Sequence, residues 1–263
     1  MVKQLNGAEL SGYMKENQAH LVRSLKARKI QPKLAIIRNS TSPVIEKYVS
    51  LKKHYGEDIG VVVEDWLRDD LAAAIVEANL NPSIHGIIVQ LPLAGEQDVS
   101  ALTNQINPSK DVDGLGENAA FDSATATAIN WLLAGYDINL ANSQIALVGR
   151  GRLVGGPLAK MWQNSGYQVT AFGRDSDLGQ LSQYDIIVSA TGVPHLITNA
   201  MVKPGAVVVD AGTASEGGVI VGDVSDEVRA RQDLTAITPK IGGVGPLTVT
   251  ALFEHVLIAA GKT

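Results

Sequence analysis

The chain has 263 residues, 45% hydrophobic and 19% charged, enough for one large α/β domain or two modest ones with a sizeable core. Its 22 basic and 27 acidic residues leave a net charge of −5, which argues against a nucleic-acid surface, and the lack of cysteine excludes disulfides, thiol nucleophiles and cysteine-held zinc. The five histidines (His20, His54, His85, His195, His255) show no metal-ligand spacing, so metal catalysis is not supported.

The opening MVKQLNGAEL has no apolar stretch behind its lysine, so no signal peptide is expected. No uncharged apolar run approaches the ~18 residues of a membrane span. The expectation is a cytoplasmic protein with no membrane partner.

A helix is expected near residues 7 to 28. Strands follow at KLAIIR (33–38), GVVVED (60–65) and HGIIVQ (85–90), separated by helices IEKYVSLKKHYGED (45–58) and DDLAAAIVEANL (69–80). This β-α-β-α-β order implies a parallel sheet covered on both faces. The polar stretch 107–126 interrupts the rhythm and leads into the helix TATAINWLLAGY. A second series then reads as strands at 144–149, 167–173, 185–192 and 206–212, with TAITP (235–239) as a fifth candidate. PLTVTALFEHVLIAAG (246–261) closes the pattern as a helix. The fold class read from this order is α/β, two α/β domains with a cleft between them, the second Rossmann-like.

Within EKYVSLKKH (46–54), Tyr48 and Lys52 are four apart and share a helix face, while Lys53 points about 100° further round. Alone, such lysines read as solvated. In IALVGRGRLVGGPLAKMW (145–162), Gly149, Gly151 and Gly155 fall in a strand–turn–helix, spaced G-x-G-x-x-x-G. A turn of this kind brings backbone N–H groups and a helix N-terminus against a pyrophosphate. Arg150 within the turn and Arg174 after the next strand suit the extra phosphate of NADP, although the adjacent Asp175 allows NAD.

The motifs YVxxK (48–52), VQLPL (89–93), KDVDG (110–114), VGRxxxVGxP (148–157), SATG (189–192), DAGT…GDV (210–224) and GGVGPLT (242–248) occur in order. This series resembles the methylenetetrahydrofolate dehydrogenase/methenyltetrahydrofolate cyclohydrolase family over nearly the whole chain. The resemblance implies a catalytic, folate-binding domain from residues 1–118 plus 246–263, an NADP-binding Rossmann domain at 119–245, and a homodimer. It implies two reactions. Methylenetetrahydrofolate loses hydride to the nicotinamide, and the methenyl product is hydrolysed to formyltetrahydrofolate.

Carried onto this chain, the resemblance makes Lys52 the catalytic lysine. Gln90 would set its state, Tyr48 would stack on the folate, and Asp113 would hold the pterin. Val49, Val89, Leu91 and the loop Ile241, Gly242, Gly243, Val244, Gly245 and Pro246 complete the implied folate site. Thr125, Gly149, Arg150, Gly151, Val154, Gly155, Arg174, Thr191, Gly192 and Thr213 would hold NADP. A neutral Lys52 is chemically apt, since burial and a neighbouring cation both disfavour an ammonium. The chain departs from the family pattern at Ile45 (usually Ser), Gly151 (usually Ser), Ala124 and Ala126 (usually Cys and Pro), and Lys240-Ile241 (usually Val-Pro). Lys240 stands as either a solvated lysine or a partner for the polyglutamate tail. A shikimate-dehydrogenase-type enzyme and a non-catalytic nucleotide-binding protein are the alternatives; the former does not explain VQLPL or GGVGPLT.

Overall fold

The computed structural model describes residues 2–216 and 219–262. In chain order its elements are β1 (Lys3–Gln4), α1 (Gly7–Ala27), β2 (Lys33–Arg38), α2 (Pro43–Ile59), β3 (Val62–Leu67), α3 (Leu71–Leu80), β4 (Gly86–Val89) and α4 (Val99–Thr103). There follow α5 (Ala124–Gly135), β5 (Ile145–Val148), α6 (Gly155–Asn164), β6 (Val169–Phe172), β7 (Ile186–Ser189), β8 (Val207–Asp210), β9 (Ala214–Glu216), β10 (Val219–Val221), α7 (Asp226–Arg229), β11 (Ala236–Ile237) and α8 (Val244–Gly261). The chain divides into two compact units, one of residues 12–124 and 249–263, the other of residues 1–11 and 125–248.

The first unit holds the parallel sheet β3-β2-β4. Central β2 is a run of Leu34, Ala35, Ile36 and Ile37, each fully buried, as a strand covered on both faces requires. Ile37, Trp66, Leu71, Ile75, Ile87 and Val89 share one core cluster. Pro43 opens α2 at a position where a missing N–H costs nothing, and Asp70 caps α3 by accepting from Ala73 N at 2.9 Å. The chain leaves β2 for β3 on one side and then crosses to β4 on the other. The crevice for a ligand in such a sheet lies at that reversal, beyond the strands' C-terminal ends.

The second unit holds the parallel sheet β1-β11-β8-β7-β5-β6 and a two-stranded antiparallel ribbon, β9-β10. Here the reversal lies between β5 and β7, so Gly149 and residues 190–192 stand at the ligand end. Its core includes Val148, Phe172, Ile187, Val208 and Ile237.

Several boundaries differ from expectation for identifiable reasons. β3 starts at residue 62, not 60, because Gly60 takes φ 85° as the cap of α2 and Val61 N donates to Gly56 O at 2.8 Å. β7 stops at Ser189, and Gly192 turns the chain with φ 69°. The fifth strand candidate shrinks to Ala236–Ile237 ahead of Pro239. α8 begins at Val244, so Pro246 lies in its first turn, where proline is tolerated. By length and composition α8 alone among the described helices passes as a membrane span, yet 61% of it is buried inside the protein. The short β1, α4, α7 and the β9-β10 ribbon carry too little periodicity to be read from sequence.

Candidate active site

Four residues of the first unit converge beyond the ends of β2 and β4. Lys52, midway along α2, donates from Nζ to Gln90 Oε1 at 2.9 Å. Gln90 follows β4 directly, is 8% exposed, and donates its own Nε2 to Leu91 O at 2.8 Å. The Gln90 amide is thereby fixed with its oxygen toward the lysine. The Lys52 ammonium lies 5.9 Å from the Tyr48 ring centroid, so the helical spacing does place them on one face. Burial lowers the Lys52 pKa, and the Asp113 carboxylate opposes that shift. Burial raises Asp113 to about 6, against the pull of Lys52 and with a push from Asp111.

The KDVDG loop carries Asp113 and is tied down at each residue. Lys110 Nζ donates to the carbonyls of Ala78, Asn79 and Asn81 at 2.8–3.2 Å, satisfying the C-terminal end of α3. Buried Asp111 accepts from Gly114 N at 3.1 Å and Gly116 N at 2.7 Å. Val112 is core, and its carbonyl accepts from His255 Nδ1 at 2.8 Å. Gly114 takes φ 67°, and a Cβ there would meet Asp122 O at 2.4 Å. Asp111, Lys110 and His255 are supporting residues that sequence reasoning missed. For Lys110 and Asp111 the adjacent opposite charges at the head of KDVDG were the available signal.

Lys53 is not merely solvated. It pairs with Asp65 at 2.8 Å, and Asp65 also receives Arg38 at 2.7 and 3.0 Å; Arg38 further donates to Glu46 at 2.6 Å. Glu46 and Lys53 stand seven residues apart on α2, two turns along one face. The Arg38 bond holds the Asp65 carboxyl below its ordinary range. The two adjacent lysines therefore have different partners: Lys52 has Gln90, and Lys53 has an ion-pair network.

Val49 and Val89 are 1% and 3% exposed, so their side chains serve the core. Leu91 is partly exposed, and a cis bond joins it to Pro92. Ile45, where the family pattern has serine, is buried and anchors α2 by packing. Ala124 and Ala126 are likewise buried.

Residues 241–246 belong to the second unit. Expected as one loop, they are a loop only to Gly243, since Val244, Gly245 and Pro246 already form the first turn of α8. Ile241 is 88% exposed, Gly242 takes φ 86°, and the Gly243 carbonyl lies where a Cβ on Gly7 would stand. Lys240 reaches Asp226 at 3.1 Å on an exposed surface.

The glycine turn lies after β5. Gly149 takes φ 102°, and a Cβ on it would meet Ala190 O at 2.6 Å; a Cβ on Gly155 would meet Gly149 O at 1.9 Å. Around Gly151 there is open space. Val154 precedes α6 and offers no capping side chain, which leaves the helix N-terminus suited to an anion. The two tight glycines and the open one fit a dinucleotide pyrophosphate. Arg150 lies against Gly173 and donates to Ala171 O from both Nε and Nη2. Arg174 is exposed, and no ion pair joins it to Asp175 among the described residues. Thr191 and Gly192 form the turn after β7, with Thr213 beside Gly192. Thr125 stands half-buried in the first turn of α5.

Two family models match the chain: the tetrahydrofolate dehydrogenase/cyclohydrolase catalytic domain over residues 5–113, and the NAD(P)-binding domain of the same family over residues 123–263. The bifunctional protein FolD of Lacticaseibacillus paracasei is 36% identical over 280 residues, covering 100% of this chain and 99% of the relative. The crystal structure of the bifunctional FolD methylenetetrahydrofolate dehydrogenase/cyclohydrolase of Campylobacter jejuni matches with a TM-score of 0.94 and 32% identity, covering 100% and 99% of the two chains. That of the Trypanosoma brucei enzyme, complexed with NADP cofactor and inhibitor, matches at 0.91 and 28%, covering 99% and 98%.

Proposed function

This chain belongs to the tetrahydrofolate dehydrogenase/cyclohydrolase family, and from that premise we propose how its residues divide the work. It is an enzyme of one-carbon folate metabolism, a methylenetetrahydrofolate dehydrogenase and methenyltetrahydrofolate cyclohydrolase. Its coenzyme is a nicotinamide dinucleotide, and our reading is NADP. Gly149, Gly151, Val154, Gly155, Arg150, Arg174, Thr125, Thr191, Gly192 and Thr213 hold it, with Arg174 as the exposed cation for the extra phosphate.

A bound nicotinamide would supply the acceptor for the hydride leaving the one-carbon bridge. That step asks little acid–base chemistry of the protein and depends on positioning. Tyr48 presents its ring to the folate, and Asp113, ionised at neutral pH, accepts from the pterin's N–H groups.

Hydrolysis of the methenyl cation needs a base for the attacking water. Lys52 supplies it: burial favours its neutral amine, and Gln90 Oε1 accepts one amine N–H, leaving the nitrogen lone pair free to receive the water's proton. The observation that carries this reading is the 2.9 Å Lys52–Gln90 bond on a lysine whose pKa is lowered. The formyltetrahydrofolate formed is a one-carbon donor of the kind purine biosynthesis consumes. A cytoplasmic homodimer belongs to the same reading.

A spectrophotometric assay with methylenetetrahydrofolate, run in parallel with NADP and NAD, tests reaction and coenzyme together. Methenyl formation with NADP in clear preference to NAD supports the reading, and turnover with NAD alone overturns the coenzyme assignment.

A further inference from the structure

One buried carboxylate, Asp223, gathers the turn after β7 and has no place in the mechanism above. It is 0% exposed. A single oxygen, Oδ2, accepts from Ser189 Oγ at 2.7 Å, Thr191 N at 2.7 Å and Thr191 Oγ1 at 2.9 Å. Thr191 Oγ1 then accepts from Val193 N at 3.1 Å. The other oxygen, Oδ1, has no hydrogen-bond partner among the described residues. All of the anchoring therefore passes through one atom.

Asp223 is itself held by the end of β8. Asp210 Oδ1 accepts from Asp223 N at 3.0 Å and Gly212 N at 3.1 Å, and Asp210 Oδ2 accepts from Val224 N at 3.1 Å and from Arg229. Two glycines permit this approach. A Cβ at Gly212 would come within 1.9 Å of Asp223 Oδ1, and one at Gly222 within 2.1 Å of Asp210 Oδ2. The strand ends bearing Ser189, Asp210 and Asp223 are thus locked into one block.

We propose that Asp223 is a positioning residue for the coenzyme. By fixing Thr191 through Oδ2 it sets the course of the turn 190–192 and hence the surface that Thr191 and Gly192 offer the dinucleotide. Being fully buried, the carboxylate acts through Thr191 and touches no ligand. The inference rests on the assignment of Thr191 and Gly192 to the coenzyme site.

The test uses the full chain carrying D223A, D223N or T191V. NADP is varied in methylenetetrahydrofolate oxidation, and methenyltetrahydrofolate hydrolysis is measured without coenzyme. D223A leaves three donors unpaired and is expected to raise the NADP KM about tenfold or more, with kcat changed far less and hydrolysis within about twofold of wild type. D223N retains an oxygen for the three donors but replaces the unpartnered Oδ1 with a buried NH2, so it is expected to restore the KM in part, to clearly below that of D223A. An unchanged NADP KM in D223A, a D223N variant as impaired as D223A, or a parallel loss of hydrolysis in D223A overturns the proposal. If T191V leaves the NADP KM unchanged, the site assignment itself fails. If T191V raises it and D223A does not, only the role of Asp223 fails.

Discussion

Lys52 and Gln90 form a pair with one orientation: the lysine donates to Oε1 at 2.9 Å, and the opposite end of the glutamine amide is held by the Leu91 carbonyl at 2.8 Å. A flipped amide would break the Leu91 bond and turn its NH2 toward the lysine, where it would occupy the lone pair of the neutral amine. The Lys52 nitrogen is therefore aimed by β4 as well as by its own helix. Lys52→Met is expected to lower methenyltetrahydrofolate hydrolysis by about 10²–10⁴-fold while NADP binding persists. Loss of methenyl absorbance measures the first, and coenzyme titration the second. Hydrolysis at the wild-type rate would remove Lys52 from the mechanism.

Asp113 and Lys52 separate by pH. Protonating Asp113 near pH 6 removes an acceptor for the pterin, so the KM for methenyltetrahydrofolate is expected to rise as pH falls from 7 to 5. In Asp113→Asn the KM is higher at neutral pH and flat across that range. The same substitution removes the charge that raises the Lys52 pKa, so the ascending limb of kcat moves to lower pH. A limb that stays in place would mean that the two groups are not coupled in solution.

Arg174→Ala is expected to weaken NADP binding by about tenfold or more and NAD binding by much less, since a charge-assisted bond to phosphate is lost only with NADP. Fluorescence titration with each dinucleotide measures both. Equal effects would mean that Arg174 does not meet the phosphate.

The three glycines of the nucleotide turn are not equivalent. Gly155→Ala drives a methyl group into the Gly149 carbonyl and is expected to cost at least ~1–3 kcal/mol of stability together with coenzyme binding. Gly151→Ser enters open space and is expected to leave the melting temperature unchanged and NADP binding intact. Thermal denaturation with and without NADP distinguishes the two.

Lys53→Met and Arg38→Met test the ion network. Lys53 has a 40% exposed side chain, so its loss is expected to cost at most ~1 kcal/mol and to leave both activities near wild type. Arg38 has a 7% exposed side chain, and removing it leaves Asp65 with Lys53 as its remaining cation, at a cost of about 1–3 kcal/mol. The sign in pH follows from the lowered Asp65 pKa. The stabilisation is complete above the ordinary aspartate value of 3.8 and is lost as pH falls below it. Chemical denaturation at pH 7 and pH 3 measures it.

Much of this architecture is legible in the sequence because the strands are short β-branched runs and the motifs are local. Tyr48 and Lys52 are legible as a pair because four residues make one helical turn. His255 and Asp223 are not, because their importance comes from backbone groups far along the chain: Asp223 bonds Thr191 across 32 residues, and His255 bonds Val112 across 143. α8 starts two residues ahead of the expected Pro246, because Val244-Gly245 reads as loop, whereas the helix admits them and carries Pro246 within its first turn. Lys53 read as solvated because its partner, Asp65, comes from another element.

The KDVDG segment has one more effect, on self-association. Ile87 N donates to Lys110 O at 2.8 Å, and Ile87 bridges Asp111 in parallel, so this segment covers the outer edge of β4. The opposite edge belongs to β3, where Glu64 and Asp65 are ion-paired to Lys33 and Arg38 of β2. A foreign strand would find one border of this sheet occupied and the other lined with charges it must dehydrate, which guards the small sheet against strand-by-strand aggregation.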